Sequence, residues 1–217
     1  MQTIYLRDVL PEVFADDTRA PRPSDVWLQS GLRLERGRRY LVEAESGTGK
    51  SSLCSFIYGN RHDYRGQILF DTTDTRTLDT TAWCGLRCRA LALLPQEMRL
   101  FAELTVAENI ALKNGLTDFR SEQEIRRMLE ELEVDHKYCQ PAGLLSIGQQ
   151  QRVALVRALC QPFDFLLLDE PVSHLDERNN RAAAAMVQRE ADAQGAAIVA
   201  TSVGNHLALT DYTTLHL

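Results

Sequence analysis

The stretch Ala44-Glu45-Ser46-Gly47-Thr48-Gly49-Lys50-Ser51-Ser52 constrains this chain more than any other. Before it, Arg39–Glu43 reads as a short strand. After it, Leu53, Phe56 and Ile57 fall at helical spacing. A loop of small residues between a strand and a helix is the setting of a P-loop. Small residues let successive backbone N–H groups curl around an anion, and the first turn of the helix adds its positive end. The pattern predicts that Glu45, Ser46, Gly47, Thr48 and Gly49 cradle the phosphates of a nucleoside triphosphate. Lys50 would reach the β- and γ-phosphates, Ser51 would offer its hydroxyl to magnesium, and Ser52 would touch the α-phosphate. The expected ligands are ATP and Mg2+. The first position of such loops is usually Gly and here is Ala44, which is tolerated where no positive φ is needed. The chain has three lysines, Lys50, Lys113 and Lys137, so a Lys at the end of this loop is pointed.

The chain has 217 residues, 44% hydrophobic and 25% charged, enough for one sizeable core or a core plus a small subdomain. Its formal net charge of -6 argues against general nucleic-acid binding, and no nucleic-acid partner is expected. The five cysteines are odd in number and show no framework, which fits reduced thiols in a cytosolic protein. Cys84 and Cys88 sit four apart, but no second Cys/His pair completes a metal set. The N-terminus alternates like a strand and lacks the apolar core of a signal peptide. No apolar run approaches the roughly 18–20 residues of a membrane span, so any membrane link is expected through a partner.

Strands are predicted over 4–9, 26–34, 39–43 and 67–70, with a Pro-rich turn over 16–24. A buried strand over 90–94 stops at Pro95. Helices follow over 106–112 and 121–132, each opened by a capping-box pair, Thr105 with Glu108 and Ser121 with Glu124. The last third alternates a helix over 147–159, an apolar strand over 165–168, a helix over 177–194 ended by Gly195, and strands over 197–201 and 213–217. This alternation predicts an α/β fold with a mainly parallel sheet.

A second chemical signal is Phe165-Leu166-Leu167-Leu168-Asp169-Glu170. Two carboxylates emerge at the C-terminal end of a buried strand, the end at which open parallel sheets bind ligands. Asp169 is expected to hold magnesium through water, and Glu170 to polarise the attacking water as a general base. A third signal is Leu145-Ser146-Ile147-Gly148-Gln149-Gln150-Gln151-Arg152-Val153-Ala154-Leu155. It resembles the signature motif of ATP-binding cassette (ABC) proteins. The order also fits: the P-loop, then Leu94-Pro95-Gln96-Glu97 resembling the Q-loop, then the signature, then Asp169-Glu170, then Ser173-His174-Leu175-Asp176 resembling the D-loop. The resemblance runs over roughly residues 4–217.

The resemblance implies one ABC ATPase domain over 1–217. Residues 1–95 and 151–217 would form the P-loop core with a β-rich ATP-binding subdomain, and residues 96–150 an inserted helical subdomain. It further implies a split site, in which Ser146, Gly148 and Gln149 at a helix start cap the γ-phosphate held by the opposite subunit. ATP would then join a head-to-tail dimer of identical or different ATPase subunits. By the same resemblance Gln96 contacts magnesium and the lytic water, and the stretch Leu100-Phe101 to Asn109 faces a membrane-spanning partner. Location would be cytoplasmic, peripheral at the inner face of the membrane. Phe14 is the first choice for stacking on adenine and Tyr5 the second, with a plain core role for Phe14 the competing reading. The signature spacing most resembles small stand-alone ATPases of the lipoprotein-release, macrolide-export and cell-division type. The chain ends just after its last strand, with no room expected for a regulatory domain.

Two positions depart from the family pattern. Ile147 stands where a Gly follows the signature Ser, and its β-branched side chain is expected to hinder approach to the opposite phosphate. Ser202 stands where the family has a switch His; it can donate one hydrogen bond to the γ-phosphate but carries no charge. His206, four residues on, is expected in the next helix. These departures keep two alternatives open beside a transporter ATPase: a regulatory or scaffold subunit with weak hydrolysis, and an ABC ATPase that does not transport.

Overall fold

The computed structural model describes residues 1–15, 24–45 and 47–217. Most of the expected Pro-rich turn, and Ser46 of the phosphate loop, lie outside the described residues. Two sheets organise the fold. The first is antiparallel, in the order β2-β1-β4-β5, from β1 (Thr3–Pro11), β2 (Leu32–Glu35), β4 (Tyr64–Phe70) and β5 (Thr73–Asp74). The second is wholly parallel, in the order β6-β7-β8-β3-β9, from β3 (Arg39–Glu43), β6 (Leu91–Leu94), β7 (Phe165–Asp169), β8 (Ala197–Ser202) and β9 (Thr213–His216).

The parallel sheet is covered on both faces, so β7 and β8 are buried at every position and apolar until their C-terminal ends, where Asp169, Thr201 and Ser202 stand. Alternate side chains divide between two cores. Leu166, Leu168, Ile198 and Ala200 join the cluster of α4 (Val106–Asn114), α5 (Glu122–Glu131), α6 (Ile147–Leu159) and α7 (Glu177–Gln194). Phe165, Leu167, Ala197 and Val199 face α2 (Lys50–Ile57) and the antiparallel sheet. A short α1 (Glu12–Ala15) follows β1.

The helix starts follow the sequence closely. Thr105 and Ser121 cap α4 and α5 with the predicted Glu108 and Glu124, and both reciprocal bonds form in each. Gly195 closes α7 in the left-handed region at φ 58. Asn109 of α4 is fully buried. Its side chain accepts from the Phe101 amide at 2.8 Å and donates to the carbonyls of Phe101, Leu104 and Thr105. One side chain therefore ties the loop after Gln96 to α4. Asn109→Ala strands these groups, and an expected loss of about 2–3 kcal/mol should appear as a lower denaturant midpoint.

Two expectations are corrected, and one helix has no counterpart in the sequence reading. The strand predicted over 26–34 begins only at Leu32, because Ser24 Oγ accepts from the Val26 and Trp27 amides and Leu28 takes φ 57. This tight turn folds Val26 and Trp27 into the core without strand pairing. A helix not foreseen, α3 (Thr80–Arg89), starts where the Asp79 carboxylate accepts from the Ala82 amide. It buries only Trp83, so its sequence shows no apolar stripe. His206 lies in irregular chain between β8 and β9, not in a helix.

Candidate functional site

The site lies at the carboxyl edge of the parallel sheet, where β3 and β7 release the two acidic and phosphate-loop segments. After β3 the chain turns through Gly47 at φ 85 and Gly49 at φ 100, then starts α2 at Lys50. A Cβ on Gly49 would sit 3.1 Å from Trp27 and 3.2 Å from Phe14, so glycine serves both conformation and space. Trp27 also donates from Nε1 to the Thr48 carbonyl at 3.0 Å, bracing the loop from outside. Sequence reasoning placed Trp27 in a strand and gave no hint of this contact. Thr48 adds a bond from its hydroxyl to the Glu45 carbonyl at 2.8 Å.

Lys50 is 5% exposed, and its Nζ donates to the Glu45 carbonyl at 3.0 Å. It stands 3.8 Å from Glu170 Oε1. Glu170 in turn accepts from Gln96 Nε2 at 3.2 Å, and Gln96 Oε1 accepts from the Ser51 hydroxyl at 3.4 Å. Lys50, Ser51, Gln96 and Glu170, drawn from α2, the loop after β6 and the end of β7, thus form one connected polar group. Ser52 Oγ accepts from Arg61 Nη1 at 2.9 Å, which adds a guanidinium beside the loop.

Asp169 is buried and accepts from the Thr201 hydroxyl at 2.8 Å, across the β7–β8 pairing that sets these two residues side by side. The same hydroxyl accepts from the Glu170 amide at 3.2 Å. Burial first, and the Asp169 charge second, push the Cys54 thiol of α2 well above its usual range. Glu170 itself takes φ 50, an uncommon conformation for a residue with a Cβ. Both of its peptide groups are pinned: the amide by Thr201, the carbonyl by Gln151 Nε2 at 3.1 Å. Gln151 also accepts from the His174 amide at 3.0 Å, so α6 and the 173–176 turn are fixed to the backbone of Glu170. Thr201 and Gln151 carried no signal legible before the strand pairing was known.

Ser146 caps α6 with Gln149 in a capping box, accepting from the Gln149 amide at 3.3 Å. A Cβ on Gly148 would meet the His174 carbonyl at 2.9 Å, so this glycine lets the start of α6 lie against the turn after Glu170. Ile147 is 54% exposed and projects beside Ser146. Phe14 is half-buried on α1 beside Gly49. Tyr5 lies in β1 with its hydroxyl on the Ser30 carbonyl. Ser202 ends β8, 1% exposed, paired in register with Glu43 of β3.

Anion-binding loop, buried lysine and a paired acid segment on a parallel sheet define the class of P-loop NTPase folds. The profile of the ABC transporter family matches residues 29–173, and the chain belongs to that family. Thiamine import ATP-binding protein ThiQ of Shigella sonnei is 36% identical over 152 residues, which cover 69% of this chain and 63% of that protein. The chain thus matches less than two thirds of the length of such relatives. Macrolide export ATP-binding/permease protein MacB 2 of Aeromonas hydrophila is 31% identical over 171 residues, 77% of this chain and 26% of that one. Among solved structures, the dimeric cassette MJ0796 bound to ADP and Pi has a TM-score of 0.76 at 22% identity, covering 93% of this chain and 88% of that one. A bacterial Atm1-family ABC exporter with ATP bound gives 0.71 at 22% identity, covering 93% and 34%. At these identities both structures speak for the fold.

Proposed function

We propose that this chain binds and hydrolyses ATP with Mg2+ as the ATPase subunit of an ABC transporter, and drives a separate membrane-spanning subunit by ATP-dependent dimerisation. The observation that carries the reading is the connected group of Lys50, Ser51, Gln96 and Glu170 at the carboxyl edge of the sheet. The oxygen donors Ser51, Gln96 and buried Asp169 suit a hard divalent cation. Bound there, Mg2+ would supply charge neutralisation at the β- and γ-phosphate oxygens. Lys50 turns from the Glu45 carbonyl toward the phosphates, while the amides of 47–51 hold them. Glu170 accepts the proton of the attacking water as its oxygen bonds to the γ-phosphorus. The bond to the β–γ bridging oxygen breaks, giving ADP and phosphate. Gln96 orients the water from the other side of the carboxylate.

Ser146, Gly148 and Gln149 would face the γ-phosphate of a second ATPase subunit, identical or not, with exposed Leu144 and Ile147 on the same surface. Residues 96–150 are read as the inserted helical subdomain, and Phe14, beside Gly49, as the adenine platform. Among the described residues no helix is long and apolar enough to cross a membrane. A cytoplasmic subunit held at the inner face by its partner fits that composition. The test is steady-state ATP hydrolysis by the purified chain, alone and with any multi-span membrane protein recovered with it from membranes. Turnover raised by the partner supports the reading. An ATPase indifferent to every membrane partner supports the non-transport alternative.

The partner's surface has a physical candidate. Leu93, Phe101, Leu112, Lys113, Arg157 and Ala158 line a pocket of about 200 Å³. Burial depresses the proton affinity of Lys113, and Lys113 donates to the Arg87 carbonyl at 3.3 Å. Burial does the same to Arg157, which donates to the carbonyls of Met98 and Arg99 in the loop after Gln96. Both cations meet carbonyls rather than carboxylates, so the pocket suits an apolar segment that carries an acid. Lys113→Glu should abolish co-purification of the membrane subunit while leaving basal hydrolysis within about twofold, because Lys113 bonds the Arg87 carbonyl and not the group of Lys50, Ser51, Gln96 and Glu170.

A further inference from the structure

Arg61 belongs to none of the sequence motifs, yet its side chain ends at the phosphate loop. The chain leaves α2 at Tyr58 and turns back: the amides of Asn60 and Arg61 both donate to the Ser55 carbonyl, at 2.9 and 3.4 Å. The Arg61 side chain then runs toward the start of α2. Its guanidinium passes over the Phe56 ring, 5.3 Å from the centroid, and Nη1 donates to Ser52 Oγ at 2.9 Å. Ser52 and Ser55 are three residues apart and share one face of the helix, so the route is short.

Two further contacts orient the guanidinium. Nε donates to Asp63 Oδ1 at 2.9 Å and Nη2 donates to Asp63 Oδ2, a two-pronged pair. Asp63 is itself tied down, because its carbonyl accepts from the Glu12 amide at 3.0 Å, at the start of α1. Phe56 beneath the guanidinium is buried and packs edge-on against Trp27, the residue that braces Thr48. The cation is thus held in one place while its side chain stays 43% exposed. Among the described residues its bonds use three of the five N–H groups of a guanidinium. Ser52 is the third residue of α2, in the first turn, where amides have no partner within the helix. An anion held there meets the Ser52 amide and hydroxyl together. Since Ser52 Oγ accepts from Arg61, its own proton is available to that anion, and the guanidinium stands one hydrogen bond behind it.

We infer that Arg61 is a further nucleotide-binding residue of this chain, contacting the α-phosphate beside Ser52. This rests on the reading of residues 44–52 as an ATP site. Lys50 is assigned to the β- and γ-phosphates, and Arg61 supplies a cation to the third, the phosphate that joins them to the nucleoside. Its bonds fit that junction. On one side Arg61 meets Ser52; on the other, through Asp63, it is linked to the helix that carries Phe14, the residue read as the adenine platform. The α-phosphate is common to ATP and ADP. The contact therefore strengthens both alike, takes no part in the chemical step, and holds the nucleotide in place while the terminal phosphate is cut.

The test is calorimetry of the full chain with Mg2+ and either ADP or a non-hydrolysable ATP analogue. Arg61→Ala is expected to weaken both by about tenfold, the lower end for a hydrogen bond to a charged group. Arg61→Gln keeps a donor near Ser52 without the charge, and should match Arg61→Ala within about twofold. Asp63→Ala keeps the cation, and should leave both affinities within about threefold of the unmodified chain. Unchanged affinities in Arg61→Ala, or in Arg61→Gln, overturn the inference. A loss confined to the triphosphate overturns it too, by placing the guanidinium at the γ-phosphate. So does a loss in Asp63→Ala equal to that in Arg61→Ala, which would make the ion pair a strut for α1 and no more. If the unmodified chain binds neither nucleotide, the ATP reading itself fails, and this inference with it.

Discussion

Glu170→Gln is expected to run as a dimer on size exclusion in Mg-ATP and as a monomer in ADP, with turnover reduced by about 10²–10³. The geometry gives the reason in two parts. The carboxylate is the acid that Gln96 and Lys50 both approach, at 3.2 and 3.8 Å, and the backbone beneath it is pinned by Thr201 and Gln151. The amide fits the same space on the same pinned backbone, so the site keeps its shape. What it loses is the ability to accept the water's proton. The substitution also changes the balance between empty and ATP-bound states. Without nucleotide, an amide between Gln96 Nε2 and Lys50 Nζ faces two donors with a single acceptor oxygen, an unfavourable arrangement. With ATP, Lys50 turns to the phosphates and the conflict is relieved. The variant should therefore bind ATP at least as tightly as the unmodified chain and retain it. A variant that stays monomeric in Mg-ATP would mean that the chain needs a different subunit to complete its sites.

How much of this was legible beforehand follows from which interactions are local. The phosphate loop, the capping boxes at Thr105 and Ser121 and the Gly195 stop depend on residues within one or two turns, and all appear where the sequence puts them. Fully buried β7 and β8 read as apolar runs because a two-sided sheet demands it. The failures share the opposite property. Val26 and Trp27 alternate like a strand, yet Ser24 draws them into a turn that delivers the indole to Thr48, a contact over 21 residues. The helix over Thr80–Arg89 buries a single Trp and so shows no stripe. His206 is expected in a helix because only its spacing from Ser202 is visible; the bond from Asn180 to its carbonyl spans 26 residues, and the bond from neighbouring Asn205 to the Val172 carbonyl spans 33. Site residues that act by supporting others, Thr201, Gln151 and Trp27, were illegible for the same reason. The paired groups of the site itself were legible because each sits in a motif whose spacing is fixed by strand, loop and helix.

Lys50→Ala should abolish ATP binding at micromolar concentrations, raising Kd by about 100-fold or more. The ammonium is 5% exposed, and its neighbours are the Glu45 carbonyl and the Glu170 carboxylate. It is held at the mouth of the loop by contacts that a triphosphate replaces with stronger ones. Each charge-assisted hydrogen bond to a phosphate oxygen is worth about 1.5–3 kcal/mol, and the lysine is placed to make two, one to each of the last phosphates. Losing even the lower sum of about 3 kcal/mol corresponds to somewhat more than 100-fold in affinity. The deletion also takes from Glu170 the ammonium 3.8 Å away, so the triphosphate approaches an acid that has lost that cation. Folding should be little affected, because the Glu45 carbonyl keeps its bond from the Thr48 hydroxyl at 2.8 Å. Calorimetry with ATP and with ADP, beside a thermal melt, separates these effects. A melt close to that of the unmodified chain with no detectable heat of ATP binding is the expected pair of results. Unchanged affinity would remove Lys50 from the phosphate site, and the reading of residues 44–52 as a P-loop with it.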